Sequence, residues 1–294
     1  MFGKLIVCGV ALLVLGVLRL PLERRLSAQL KEDRVMAPSF DAEARAGLSQ
    51  KAWIASFGSL RPALAAYYSL GVIRYHSGRD WEGLEERLEE VVLLDPYNPF
   101  YWNTGAWHLA YNAAADVHED ASLAPLQRKQ GFREWIARGD ALYQRGIEAN
   151  PDDLKLRLER ARLWSNPHRI LDYPKVLGIL QSCLDDLELT DARIRRIELD
   201  QCYAMLRIPG EEQSAYQLAR RLYLSDVEGA PSSLRNGLCA LQLHPNVIAE
   251  PAIPIQEIYG SRANAVKLLT HYLKDSDPDK PRYGVRDLLD ALGH

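Results

Sequence analysis

The 294-residue chain has only four cysteines, at positions 8, 183, 202 and 239, too few for a fold built on disulfides. It has no excess of either charge: 36 Lys and Arg stand against 39 Asp and Glu, a formal net charge of −3. Phosphate backbones are bound by clustered basic surface, so no nucleic-acid partner is expected. Reaction signatures are also missing. There is no Gly-x-Ser-x-Gly, no Walker-type loop, no Rossmann glycine pattern and no zinc-protease helix. No catalytic residue, cofactor or metal is therefore expected. No stretch alternates apolar and polar residues between hairpin turns, which excludes a sheet protein. Hydrophobic residues still make up 47% of the chain, enough to bury a substantial core.

Leu5–Leu18 is an uncharged run of fourteen residues bounded by Lys4 and Arg19. A membrane span usually takes about 20 residues, but the flanking cations can snorkel and let Met1–Leu22 serve as a tight anchor. A basic start before a short apolar run is also the form of an export signal, although no small-x-small cleavage site follows. Residues 1–25 are read as a signal anchor or transmembrane segment, and cleavage stays open. Arg19, Arg24, Arg25, Lys31 and Arg34 after the run favour a cytoplasmic body by the positive-inside tendency. The export-like form favours the other side. The reading taken is a single inner-membrane anchor with the body outside the cytoplasm; the cytoplasmic side remains the alternative.

After Phe40 nearly everything has helical periodicity, cut at intervals by Pro and Gly. Asp95-Pro96-Tyr97-Asn98-Pro99 and Asn150-Pro151-Asp152-Asp153 are similar punctuation 55 residues apart, which calls for a repeat test. Tyr67-Tyr68-Ser69-Leu70-Gly71, Tyr75, Gly78, Leu84, Leu88, Val91 and Asp95-Pro96 resemble the tetratricopeptide pattern of two packed helices. In that reading Gly71 lets the partner helix approach and Gly78 permits the turn. Leu84 stands where the family has Ala, and one extra residue separates it from Gly71. A second pair runs from Pro99 through Tyr111 and from Phe132 to Ile147, around an insertion at 113–131. Leu154–Trp164 with Val176–Leu187, and Ala192–Leu206 with Glu212–Leu224, give two more. Ser232–Leu243, Arg262–Lys274 and Val285–Leu292 read as the helices of a cap.

Gly58-Ser59-Leu60-Arg61-Pro62, Leu94–Pro99, Gly105–Asn112 and Arg145-Gly146-Ile147 with Asn150-Pro151 resemble a group of bacterial, membrane-anchored tetratricopeptide-like proteins with no assigned biochemical function. The resemblance covers residues 57–174 and implies an anchored helical-repeat body without catalytic residues. The expected fold is all-α: a right-handed superhelix of antiparallel helix pairs with a helical C-terminal cap. Its parts are the anchor (1–25), a membrane-proximal helical linker (26–56), the repeats (57–224) and the cap (225–294).

Such a body suits protein–protein interaction, a concave surface holding an extended peptide or a partner helix. By analogy with first-helix positions of the family, the groove candidates are Tyr68, Tyr75, His76, Trp102, Asn103 and Asn112. Arg157 and Arg160 join them farther along. The alternative function is binding of an envelope glycan or lipid through the Trp and Tyr residues, of which Trp102, Trp107 and Tyr111 share one helix. Asn112 is read as ending that helix. Arg61 is read as clasping helix-end carbonyls. Asp116–Asp120, with His118, is read as a solvated acidic loop rather than a metal site. Cys183, Cys202 and Cys239 are read as buried free thiols.

Overall fold

The computed structural model describes residue 19 and residues 21–34, 60–275, 277 and 279–293. The apolar run Leu5–Leu18, Cys8 and residues 35–56 of the linker lie outside them. Residues 21–32 are helical, and no described helix is long and apolar enough to cross a membrane. The described residues form helices and turns with no strand. The protein is all-α. The chain divides into two compact units, Met1–Pro151 and Asp152–His294.

In the first unit α1 (Arg61–Gly78) and α2 (Trp81–Leu94) form a hairpin. Leu84, Leu88 and Val91 recur at helical spacing and are 3% exposed or less, so one stripe of α2 is fully covered. The Asp80 carboxylate caps α2 by accepting from the Gly83 N–H. Arg61 donates from Nη2 to the Leu93 carbonyl at 2.9 Å, the helix-end clasp expected of it. The glycines behave otherwise than expected. A Cβ at Gly71 or Gly78 would meet nothing within 4 Å, so neither marks a close approach. The left-handed residue of the turn is Arg79, with φ of 54°.

Next comes a continuous rod, α3 (Pro99–Trp107), a π-helical segment (His108–Ala113) and α4 (Ala114–Glu119). Asn98 caps its start, and Pro99 occupies the first turn, where its missing N–H costs nothing. Asn112 does not end this rod, because the backbone passes through it in π-helical form. The residues around 113–131 largely join regular helices, with α4 extending the rod. α5 (Pro125–Ala149) starts seven residues before the expected Phe132. α5 packs along the rod through glycines. At Gly139 a Cβ would lie 2.6 Å from the Ala110 Cβ and 2.8 Å from the Ala106 carbonyl oxygen. At Gly146 it would lie 2.7 Å from the Trp102 Cβ.

The second unit is a succession of helices packed on their neighbours: α6 (Leu154–Ser165), α7 (Tyr173–Asp186), α8 (Asp191–Met205), α9 (Glu212–Ser225) and α10 (Ser232–Gln242). The short α11 (Ile255–Tyr259), α12 (Arg262–Lys274) and α13 (Val285–Ala291) follow. Two cores result. One joins Ala161, Val176, Leu180, Cys183 and Ile197 of α6–α8. The other joins α8–α13 around Tyr216, Leu222, Leu238, Ile258 and Leu269. Cys183, Cys202 and Cys239 are free and fully buried, as the sequence suggested. Burial pushes their thiols up to about 11, about 12 and about 11.

Candidate functional site

A cleft of about 630 Å³ opens in the second unit. It is built from helix geometry. On α6 the residues Leu158, Ala161, Arg162 and Ser165 share one face at spacings of three and four. Arg196, Asp200, Tyr203 and Ala204 of α8, with Arg207 just beyond its end, line the opposite wall. Buried Ala161, Val176 and Leu180 make the base apolar, and Leu171, 37% exposed, stands at its mouth.

The polar rim is tied down by charge pairs. Arg207 donates from Nε and Nη2 to Asp277 Oδ2 at 2.9 and 2.7 Å, and its guanidinium lies 5.6 Å from the Tyr173 ring centroid. Arg282 donates to the carbonyls of Asp275 and Asp277 at 2.5 and 2.6 Å, and Lys280 pairs with the Asp275 carboxylate. Asp275, Asp277, Lys280 and Arg282 thereby hold one another at the rim of the cleft. Asp200 is different. Burial pushes its carboxyl up, only partly opposed by Arg196 and Arg162, and the Arg196 contact is a loose 3.4 Å. Tyr203 holds Ser233 Oγ at 2.6 Å through its hydroxyl, and burial raises its phenol. The result is an apolar slot beside a half-buried carboxylate and the exposed side chains of Arg162 and Arg196. That suits an apolar side chain flanked by backbone or charged groups.

The sequence candidates fall elsewhere. Arg157 is 7% exposed; its Nη1 donates to Ser182 O at 3.1 Å, Ser182 Oγ at 3.0 Å and Asp186 Oδ2 at 2.6 Å. It fastens α6 to α7. Arg160 is half-buried on α6 and is not among the cleft-lining residues. In the first unit Trp102 is 5% exposed, donates to the Pro96 carbonyl at 2.7 Å and lies under Arg145. Burial leaves Trp102 and Arg157 unavailable to a partner, a correction to their reading as groove residues. Asn103 accepts from the Tyr143 hydroxyl at 3.2 Å. Tyr68 and Tyr75 are half-buried beside Arg87, whose guanidinium is 4.5 Å from the Tyr68 ring centroid.

His76 and Asn112 do come together. The Asn112 amide nitrogen lies 3.2 Å from His76 Nε2 and 3.0 Å from His108 Nδ1, and the two imidazole rings are 5.3 Å apart. Trp107, 45% exposed, stacks on Tyr111 at 6.1 Å and an interplanar angle of 21°. Asp116 is not a solvated loop residue: its carboxylate accepts from the Trp81 indole at 2.7 Å and pairs with Arg79 at 2.9 Å. No group of three or more His, Cys, Asp or Glu side chains that could hold a metal occurs among the described residues.

No family model, curated protein or solved structure matches the chain. The site is therefore read from its own chemistry. One signal for the cleft was present in the sequence. Leu158, Ala161 and Ser165 form a second small or apolar stripe on α6, besides the buried Leu156 and Leu163. That stripe is shared between core and cleft: Ala161 is buried in the α6–α8 core with Leu158 against it, while Arg162 and Ser165 carry the same face to the cleft wall.

Proposed function

We propose that this chain is a non-catalytic, membrane-tethered helical-repeat protein that holds a segment of a partner protein in the cleft of its second unit. Its helix pairs stack in the tetratricopeptide manner, and Met1–Leu22 confines the encounter to the inner membrane of a bacterial envelope. The single observation that carries the reading is the 630 Å³ cleft between α6 and α8, apolar at the base and charged at the rim. An aliphatic or aromatic side chain of the partner fills the base, displacing water from Val176 and Leu180. Arg162, Arg196 and Asp200 engage the polar groups beside it. Tethering raises the local concentration of the two partners and substitutes for part of the affinity.

Selection of binders from a random peptide library tests this directly. L171E and S165Y alter the mouth and wall at positions outside the buried core, so both variants fold. Either should weaken selected peptides by roughly tenfold or more. Peptides that bind both variants as well as the parent refute the cleft as the site. Phosphatase and cytoplasm-only fluorescent reporters fused after His294 decide the side of the membrane.

A second reading, a glycan-binding protein, is favoured by one observation: the exposed, stacked Trp107–Tyr111 pair. Glycan binding that is lost in W107A and insensitive to salt would support it over the peptide reading.

A further inference from the structure

We propose that His76 and His108 form a binding site for a late first-row divalent cation, Cu²⁺ most tightly and Zn²⁺ next, at the junction of α1 and the π-helical segment. His76 Nε2 and His108 Nδ1 come from helices 32 residues apart in sequence, yet both lie within 3.2 Å of one atom, the Asn112 amide nitrogen. In the tautomers that leave His76 Nε2 and His108 Nδ1 unprotonated, both nitrogens accept from this amide and present lone pairs to one shared point. A cation is the other species that two converging imidazole lone pairs can hold.

Three features suit the exchange. Asn112 sits on the half-buried side of the segment, and turning its side chain presents Oδ1 as a third ligand in place of the amide protons. His76 is exposed, so solvent reaches the site and water completes the coordination. The rings are also braced: Trp81 meets His76 edge-on at 5.5 Å, and Trp107 meets His108 at 5.2 Å. Nitrogen donors select late transition metals over Ca²⁺ and Mg²⁺, and Cu²⁺ exceeds Zn²⁺ in the general order of affinity. Two nearby groups take no part. The Asp116 carboxylate is occupied by Trp81 and Arg79, and His118 lies against Phe132.

The test is a calorimetric titration of the full chain, prepared without a polyhistidine tag, with CuCl₂ and ZnCl₂ at pH 7.5 and 5.5. The parent should bind one cation per chain, far more weakly at pH 5.5, where protons compete. H76A should weaken binding by roughly tenfold or more, as loss of a ligand does, and H118A should leave it unchanged. His76 is exposed, so H76A keeps the fold and carries the test even if H108A does not. Quenching of tryptophan fluorescence by Cu²⁺ in the parent, lost in H76A, places the cation beside Trp81 and Trp107, the indoles that meet His76 and His108. Equal binding by H76A, or no parental binding tighter than about 100 μM, overturns the proposal.

Discussion

Adding one methyl group at Gly139 tests how tightly α5 rests on the rod. The new Cβ would lie 2.6 Å from the Ala110 Cβ, 2.8 Å from the Ala110 N and 2.8 Å from the Ala106 O. Carbon atoms in contact prefer about 3.5–4.0 Å, so the helices must part by about 1 Å. Two of the three neighbouring atoms are backbone, and no rotamer change relieves them. Overpacking costs about 1–3 kcal/mol, and a clash with backbone atoms that cannot turn away stands at the upper end, about 2–3 kcal/mol. Replacing a glycine in a helix interior returns up to about 1 kcal/mol. The balance for G139A is a loss of about 1–2 kcal/mol. G71A, inside α1 of the same unit, adds a Cβ that meets nothing within 4 Å. It should gain about 0.5–1 kcal/mol by restricting the unfolded chain. Urea unfolding followed by circular dichroism and tryptophan fluorescence measures both. A G139A protein as stable as the parent, or a G71A protein destabilised equally, would refute the packing argument.

Arg157→Ala should destabilise the second unit by about 2–3 kcal/mol, since charge-assisted hydrogen bonds to Ser182 and Asp186 are lost; thermal unfolding is the check, and an unchanged midpoint would contradict the fastening role. In a Cys8→Ser variant no thiol should react rapidly with a disulfide reagent in the native state, and three should react in denaturant, because Cys183, Cys202 and Cys239 are buried. Fast native reaction would show a core that opens. The first unit should also lose stability in acid through His108. Its imidazole is held below its ordinary value by burial first and by His76 second. The unfolded chain therefore takes up a proton at about pH 6.5 where the folded one does not. Stability from this group is complete above that pH and falls as the pH drops from about 6.5 towards the folded value. The slope in unfolding midpoint between pH 7.5 and 5.5 should be shallower in H108A.

Periodicity made the helices legible and left their neighbours illegible. Leu84, Leu88 and Val91 announce one buried stripe, and that stripe is buried. Leu154–Trp164 likewise lies within α6, and Ala192–Leu206 lies within α8 except for Leu206, which caps its end. A stripe does not say which helix covers it, however. Trp102 looked like a groove aromatic because its spacing to Trp107 and Tyr111 is helical, yet α5 buries Trp102 and leaves Trp107 exposed. Glycine roles were misplaced for the same reason. Gly71 sits in a family-like string, whereas close approach occurs at Gly105, Gly139 and Gly146, where a partner chain segment happens to pass. The His76–His108 meeting depends on two helices crossing, and no spacing within either helix encodes it. Arg79 adopts φ of 54° although it is not glycine; it is the left-handed C-cap of α1, where its N–H donates to the His76 carbonyl and the Asp80 N–H to the Tyr75 carbonyl.

The π-helical segment His108–Ala113 carries one residue more than the same length of α-helix needs. Deleting a single residue there would let the rod close into uninterrupted α-helix. Residues beyond it would keep their facing, because the wide turn absorbs the extra residue, so Asp116 would stay with Trp81 and Arg79. What the deletion removes is the widened turn itself, where Asn112 meets His76 and His108. In genetic terms, one codon separates a rod that carries this cluster from a plain α-helix of the same facing.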